Sequence, residues 1–205
     1  MKKLVSIASL VTLMGAFSSF AQQGVVRMTI NLSGAQPLGQ FKTLVNKSTF
    51  RGGDISILYG INDQLALGLN TGFQDFYQKF PRALYKLSDG SDISAVLTNS
   101  VQTIPVLLTA QLRFISNSKL QPYVSAGAGG AMVMNSQFIG EYPNQDDKIS
   151  FAVRPGAGVF IPFRKEGEVG FNLGINYTFL PYKSGDISNL GYFGLTIGIG
   201  FPVRN

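Results

Sequence analysis

The chain has 205 residues, 24 of them Gly, with 17 Lys and Arg against 11 Asp and Glu, and it contains neither His nor Cys. That inventory excludes a Ser–His hydrolase, a thiol nucleophile, disulfides and an N-terminal lipid-modified cysteine. The formal charge of +6 is scattered, without the concentrated basic face that nucleic-acid binding needs, so no nucleic-acid partner is expected.

The first element reads as an export signal. Lys2 and Lys3 precede an apolar run over residues 4–17, and Ser19-Phe20-Ala21 supplies small residues ahead of a cut before Gln22. The run is shorter than the about 20 residues a spanning helix needs, which argues against an uncleaved anchor. Residues 1–21 are therefore expected to be a signal peptide of the Sec type, and residues 22–205 one mature domain. Without Lys2 and Lys3, 15 basic residues stand against 11 acids, a net charge of +4.

After Gln22 the apolar residues recur at every second position, the period of a strand with two unlike faces. Residues 25–33 set Val26, Met28, Ile30 and Leu32 against Arg27, Thr29 and Asn31, and residues 34–50 read as a long loop. Residues 53–61 set Ile55, Ile57, Tyr59 and Ile61 against Asp54, Ser56 and Leu58. A turn at Asn62-Asp63 leads to residues 65–73, where Leu65, Leu67, Leu69 and Phe73 oppose Gly68, Asn70 and Gly72. Residues 76–99 read as the longest connection.

The second half repeats the pattern. Residues 101–114 oppose Ile104, Val106, Leu108 and Leu112 to Thr109, Gln111 and Arg113, and a polar turn follows at 116–119. Residues 121–138 oppose Val124, Ala126, Ala128 and Met132 to Tyr123, Ser125, Gly127 and Gly129, before a polar loop at 140–148. Residues 151–163 carry Phe151, Val153, Val159 and Ile161 against Arg154, Gly156 and Gly158. Past a turn at 164–167, residues 168–179 oppose Phe171, Leu173 and Ile175 to Asn172, Gly174 and Asn176. A loop at 180–189 precedes the last run, 191–203, with Phe193, Leu195, Ile197, Ile199, Phe201 and Val203 on one face and Gly194, Thr196, Gly198 and Gly200 on the other.

In the last run neither face carries a charge, whereas a soluble sheet dots its wet face with Lys and Glu. Eight strands joined by alternately long and short connections are the pattern of an all-β, eight-stranded, antiparallel up-and-down transmembrane barrel. Its termini and short turns would be periplasmic and its long loops external. Eight strands leave an interior that side chains fill, and closure satisfies the backbone bonds that lipid cannot. Tyr59, Phe114, Phe163 and Phe201 would form the turn-side aromatic girdle, and Phe73, Phe151, Tyr177, Phe179 and Phe193 the loop-side one. Prolines forfeit a ladder donor, so Pro122, Pro162 and Pro202 are expected at the rim and Pro105 and Pro155 at bulges.

Several stretches carry a resemblance: Pro37-Leu38-Gly39-Gln40-Phe41, Ile104-Pro105-Val106 and the run from Pro122-Tyr123-Val124 to Ala128-Gly129. With them the mature chain resembles the small outer-membrane barrels of the OmpA/OmpX type, sometimes grouped with the porins. Thr196, Gly198, Phe201 and Val203 resemble the terminal assembly signal of such barrels, although Arg204-Asn205 follow where many relatives stop on an aromatic. The resemblance implies a monomer in the outer membrane of a Gram-negative bacterium, among lipid and lipopolysaccharide. It also implies handling by periplasmic chaperones and the barrel-assembly machinery. Enzymes of this fold that act on lipid or protein rely on His, so none fits, and no enzyme activity or cofactor is expected.

Arg27, Asp54, Arg113 and Arg154 fall on the inner face, where charges must be paired or hydrated. One reading is a polar plug, with Gln111, Asn172 and their neighbours Asn70 and Asn176 bonding the guanidinium groups; the other is a narrow channel for small anions. The narrow bore favours the plug. In the long connection, Phe76, Tyr77, Phe80 and Tyr85 interleave with Lys79, Arg82 and Lys86, a candidate grip for an anionic surface. Glu141, Asp146 and Asp147 read as a solvated loop rather than a cation site. A soluble lipocalin-like carrier is the remaining alternative, and it would need a charged outer wall around a greasy cup.

Overall fold

A computed structural model describes residues 24–86, 92–115, 118–139, 142–164, 169–182 and 188–203. The expected signal segment 1–21 and the Arg204-Asn205 ending lie outside them. The elements in order are β1 (Val26–Leu38), a 3₁₀ turn (Gly39–Thr43), β2 (Thr49–Gly60), β3 (Leu65–Lys79), β4 (Ala83–Lys86), β5 (Asp92–Ala95) and β6 (Leu97–Arg113). They continue with β7 (Gln121–Ile139), β8 (Tyr142–Pro162), β9 (Gly170–Leu180) and β10 (Leu190–Val203). Eight of these close in the order β1-β10-β9-β8-β7-β6-β3-β2, and β4 and β5 form a separate hairpin. The seam between the first and last strands runs from Val26 opposite Val203 to Leu38 opposite Gly191.

The faces are those that the period-two pattern dictates. Ile30, Ile57, Leu69, Leu108, Phe171 and Leu195 point out and are exposed, while Thr29, Thr103, Asn172 and Thr196 point in and are buried. A lipocalin would reverse this. Along β3 the outward, uncharged positions run from Leu65 to Phe73, and at about 3.4 Å per residue and a tilt near 40° they span about 20 Å of height. Tyr59, Phe114 and Phe163 are exposed at the turn end, and Phe73, Phe151, Tyr177, Phe179 and Phe193 at the loop end, which gives the two aromatic belts. Phe163 and Phe171 meet edge to face at 4.8 Å.

The strands are longer than the alternation indicates. β3 stays paired with β6 up to Lys79 opposite Thr98, and β7 with β8 up to Ile139 opposite Tyr142. Residues 142–148 are thus strand, not loop, and 34–38 and 76–79 likewise. Beyond the greasy band the outward face meets water while inward residues such as Ala35 and Phe76 are buried, so the apolar-outward alternation breaks down while the hydrogen-bond ladder continues. β1 gives way at Gly39, whose φ of +57° opens the 3₁₀ turn that carries Phe41 inward.

Pro122, Pro162 and Pro202 lie at strand ends near the turn rim, as expected. Pro105 and Pro155 are not at bulges. Pairing of β6 with β3 skips Ile104 and Pro105 and resumes in the same register, and pairing of β8 with β9 skips Arg154 and Pro155 likewise. Proline keeps an extended backbone but has no N–H, so the ladder loses a bond without gaining a residue. At Pro105 the Thr71 hydroxyl donates to the orphaned carbonyl at 3.0 Å. The described register shift lies elsewhere, between Ser33 and Ala35 where β1 pairs with β2.

Candidate functional site

Side chains cross the lumen at several heights, around a mid-barrel cavity of about 80 Å³, and their character changes with height. At mid-barrel a chain of hydrogen bonds crosses the bore. The Tyr123 hydroxyl donates to Asn172 Oδ1 at 2.9 Å, and Asn172 Nδ2 donates to Asn31 Oδ1 at 3.0 Å. Asn31 Nδ2 and Asn70 Nδ2 both donate to Asp54 Oδ1, each at 3.0 Å. Arg154 donates to Asn70 Oδ1 at 3.0 Å, to Thr178 Oγ1 at 2.9 Å and to the Tyr192 hydroxyl at 3.4 Å. The Tyr192 hydroxyl in turn shares a hydrogen bond with Thr103 Oγ1 at 3.2 Å.

Every barrel strand supplies a member: Asn31 from β1, Asp54 from β2, Asn70 from β3, Thr103 from β6, Tyr123 from β7, Arg154 from β8, Asn172 from β9 and Tyr192 from β10. The direction of the chain is forced by its charges. Arginine can only donate and a carboxylate can only accept, so Asn70 must show its oxygen to Arg154 and its amide to Asp54. The same logic orients Asn31 and then Asn172. An ion pair too far apart for contact is thus relayed through an amide, which is how a narrow interior can hold both charges. The Tyr123 ring lies against Gly158 and Gly174; a Cβ at Gly158 would come within 2.5 Å of it.

Above this layer, toward the loops, an apolar cluster dominates the interior, with Gln74 and Asn99 buried beside it. Phe41 and Val45 from the β1–β2 connection pack with Phe76, Val101, Leu107, Val133, Leu180, Tyr182, Leu190 and Tyr192. Phe41 and Phe76 meet edge to face at 4.7 Å, and Phe76 and Tyr192 at 5.1 Å. Below, toward the turns, the buried Arg27 and Arg113 guanidinium groups sit 4.9 Å and 5.9 Å from the centre of the Phe160 ring.

Of the expected lumen residues, Asp54, Arg154 and Asn172 share one network, Arg27 and Arg113 form a separate layer around Phe160, and Gln111 lines the mid-barrel cavity. Only Asn70, among the amides expected to bond the guanidinium groups, does so in a described bond. The alternation put Tyr123 and Thr103 on the inner face but gave no relative height between strands, so their joining Asn172 and Tyr192 was not legible. Tyr192 was not assigned to the lumen at all.

The expected loop cluster is divided. Phe76 is not on the surface: it is wholly buried in β3 and points into the lumen, because the strand continues past the expected loop start. Tyr77 and Lys79 face outward, Phe80 is half-buried with its N–H donating to the Leu97 carbonyl at 2.8 Å, and Arg82 is exposed. Tyr85 and Lys86 fall in β4. Arg51, which the sequence did not single out, joins Tyr77 at 5.9 Å and pairs with Asp75 at 3.2 Å. Thr196 and Gly198 face inward at the end of β10, and Phe201 and Val203 outward.

The described residues hold no cluster of acids fit for a metal ion, and Glu141 lies outside them. Asp146 accepts from Lys148 at 2.8 Å and from the Tyr182 hydroxyl at 3.3 Å. The hydrogen bond that the Lys148 ammonium donates to Asp146 holds the Lys148 pKa above its ordinary value.

No protein-family profile matches the chain, and no curated protein does. Solved structures do match. Neisserial surface protein A aligns with a TM-score of 0.53 at 17% identity, over 87% of this chain and 96% of that one. The outer membrane protein OprG from Pseudomonas aeruginosa aligns at 0.49 and 12% identity, over 90% and 98% of the two chains. Ail of Yersinia pestis aligns at 0.44 and 17% identity, over 87% and 99%. At 17% identity the alignment with Neisserial surface protein A speaks for architecture alone, and with the closed eight-stranded sheet and the greasy wall it gives one answer: the chain has the fold of the small eight-stranded outer-membrane β-barrel proteins.

Proposed function

We propose that this chain is a non-catalytic integral barrel of a Gram-negative outer membrane, closed to solutes, serving the envelope as a structural element or a surface-interaction scaffold. The observation that carries the reading is the obstructed bore, crossed by the apolar cluster around Phe76 and again by the bonded chain from Tyr123 to Thr103. An ion crossing it would have to displace packed aromatic rings and then break charge-assisted hydrogen bonds. The absence of His and Cys from the sequence supports a role without nucleophilic or general-base chemistry of the usual kinds. Phe201 and Val203, outward at the closing seam, are the side chains of the terminal signal that assembly factors would meet.

Purified protein in planar lipid bilayers tests the reading. Silence under applied voltage is expected; discrete anion-selective steps would replace it with the narrow-channel alternative, for which Arg27, Arg113 and Arg154 are the lining cations. Density-gradient fractionation of the source envelope should place the chain with the outer membrane.

A further inference from the structure

On the inward row of β3, Gln74 stands between Gly72 and Phe76, where the bonded chain gives way to the apolar cluster. Its side chain is 4% exposed, and the Ser33 hydroxyl donates to its Oε1 at 2.8 Å. This strap from β1 to β3 passes over Gly52 of β2, where a Cβ would strike both Gln74 Oε1 and Ser33 Oγ. Gln74 Nε2 is buried and meets no acceptor among the described residues. Reversing the amide does not cure this. A hydroxyl donates or accepts equally well, so Nε2 would take the Ser33 contact and Oε1 would be left over instead. Either way one amide atom at this depth has lost its hydration without a replacement.

Gln74 lines a cavity of about 20 Å³ together with Asp54, Arg154, Asn176 and Tyr192. One water needs about 10–15 Å³ and two to four polar partners, so the space fits one and not two. Asp54 stands opposite Gly72 and Gln74 opposite Gly52, which makes the two side chains diagonal neighbours on adjoining strands. Both described bonds to Asp54 end on Oδ1, and Oδ2 has room for a further donor. We propose that this cavity is a binding site for a single enclosed water, which accepts from Gln74 Nε2 and donates to Asp54 Oδ2. Arg154 in the lining disfavours a cation there and Asp54 disfavours an anion, so a neutral molecule is the occupant both tolerate. The water gives the carboxylate a third donor beside Asn31 and Asn70. It also carries the bonded chain up to Ser33, where the pairing of β1 with β2 changes register. The site depends on the barrel fold alone and stands whether or not the bore conducts.

Crystals of the full mature barrel that resolve ordered water test the site, alongside magnetisation transfer from water to the Gln74 side-chain amide in detergent micelles. The wild type should show one density peak within hydrogen-bond reach of both Gln74 and Asp54. Its Gln74 amide should give a water cross-peak of the sign that a long-lived bound molecule produces, not that of proton exchange. Gln74→Met keeps the length of the side chain and removes the amide; the peak should be lost while Asn31 and Asn70 still donate to Asp54. Should that variant fail to fold, the wild-type density and cross-peak decide by themselves. A cavity without density, an Asp54 carboxylate turned directly onto Gln74, or a peak unchanged in Gln74→Met overturns the assignment. So does an anomalous signal at the same position after a bromide soak, which would make the occupant an anion.

Discussion

The loop-end and middle portions of the lumen do the same job by opposite means. Around Phe41, Phe76 and Tyr192 the bore is filled by rings and branched chains, two of them lent by a connection that folds inward after Gly39. Around Asp54 and Arg154 it is filled by amides and charges, each anchored on a strand. Apolar filling tolerates small adjustments, because dispersion contacts have no direction. The bonded chain does not, since each member is aimed by the one before. Tyr192 belongs to both, with its ring in the first and its hydroxyl in the second.

The largest effect should come from breaking the apolar side. Phe76→Ala is expected to destabilise the barrel by about 3–5 kcal/mol, as large-to-small changes of a buried ring do. Denaturant titration in vesicles, read by the heat-dependent gel mobility of folded barrels, measures it. Asp54→Ala should cost less, about 1–3 kcal/mol, by leaving the Asn31 and Asn70 amides without their acceptor. The comparison sharpens in a double-mutant cycle. Asn31→Ala with Asp54→Ala should couple by about 0.5–3 kcal/mol, whereas Phe76→Ala with Asp54→Ala should add within about 0.5 kcal/mol. Strong coupling in the second pair would show that Tyr192 ties the two fillings into one unit. The smallest change, Tyr123→Phe, removes one terminal hydroxyl and should cost about 1 kcal/mol.

The inward and outward faces were legible because a strand's period is two and lipid demands an unbroken apolar row, as at Leu195, Ile197 and Ile199. Heights were not. Whether Asn172 stands level with Asn31 or with Arg27 depends on the stagger of β9, β10 and β1, which no single strand encodes. The same gap explains Phe76 and Arg51. Phe76 looked like loop because its neighbours Asp75, Gln78 and Lys79 are polar, and Arg51 stood alone until pairing set it opposite Asp75. The prolines show a different limit, since nothing local distinguishes a skipped ladder bond from a bulge.

The contribution of one side chain by each of the eight staves has a consequence for how the protein is made. No partial sheet holds the full set: Asp54 meets Asn31 and Asn70 within the first three staves, but the Arg154 guanidinium is short of Thr178 and Tyr192 until the last two arrive. Only the arrival of Tyr192, on the final stave, joins Thr103 to the rest. The interior therefore penalises an intermediate that already holds Arg154 but lacks the final stave, and the finished cylinder, once shut, carries a cross-tie through its middle.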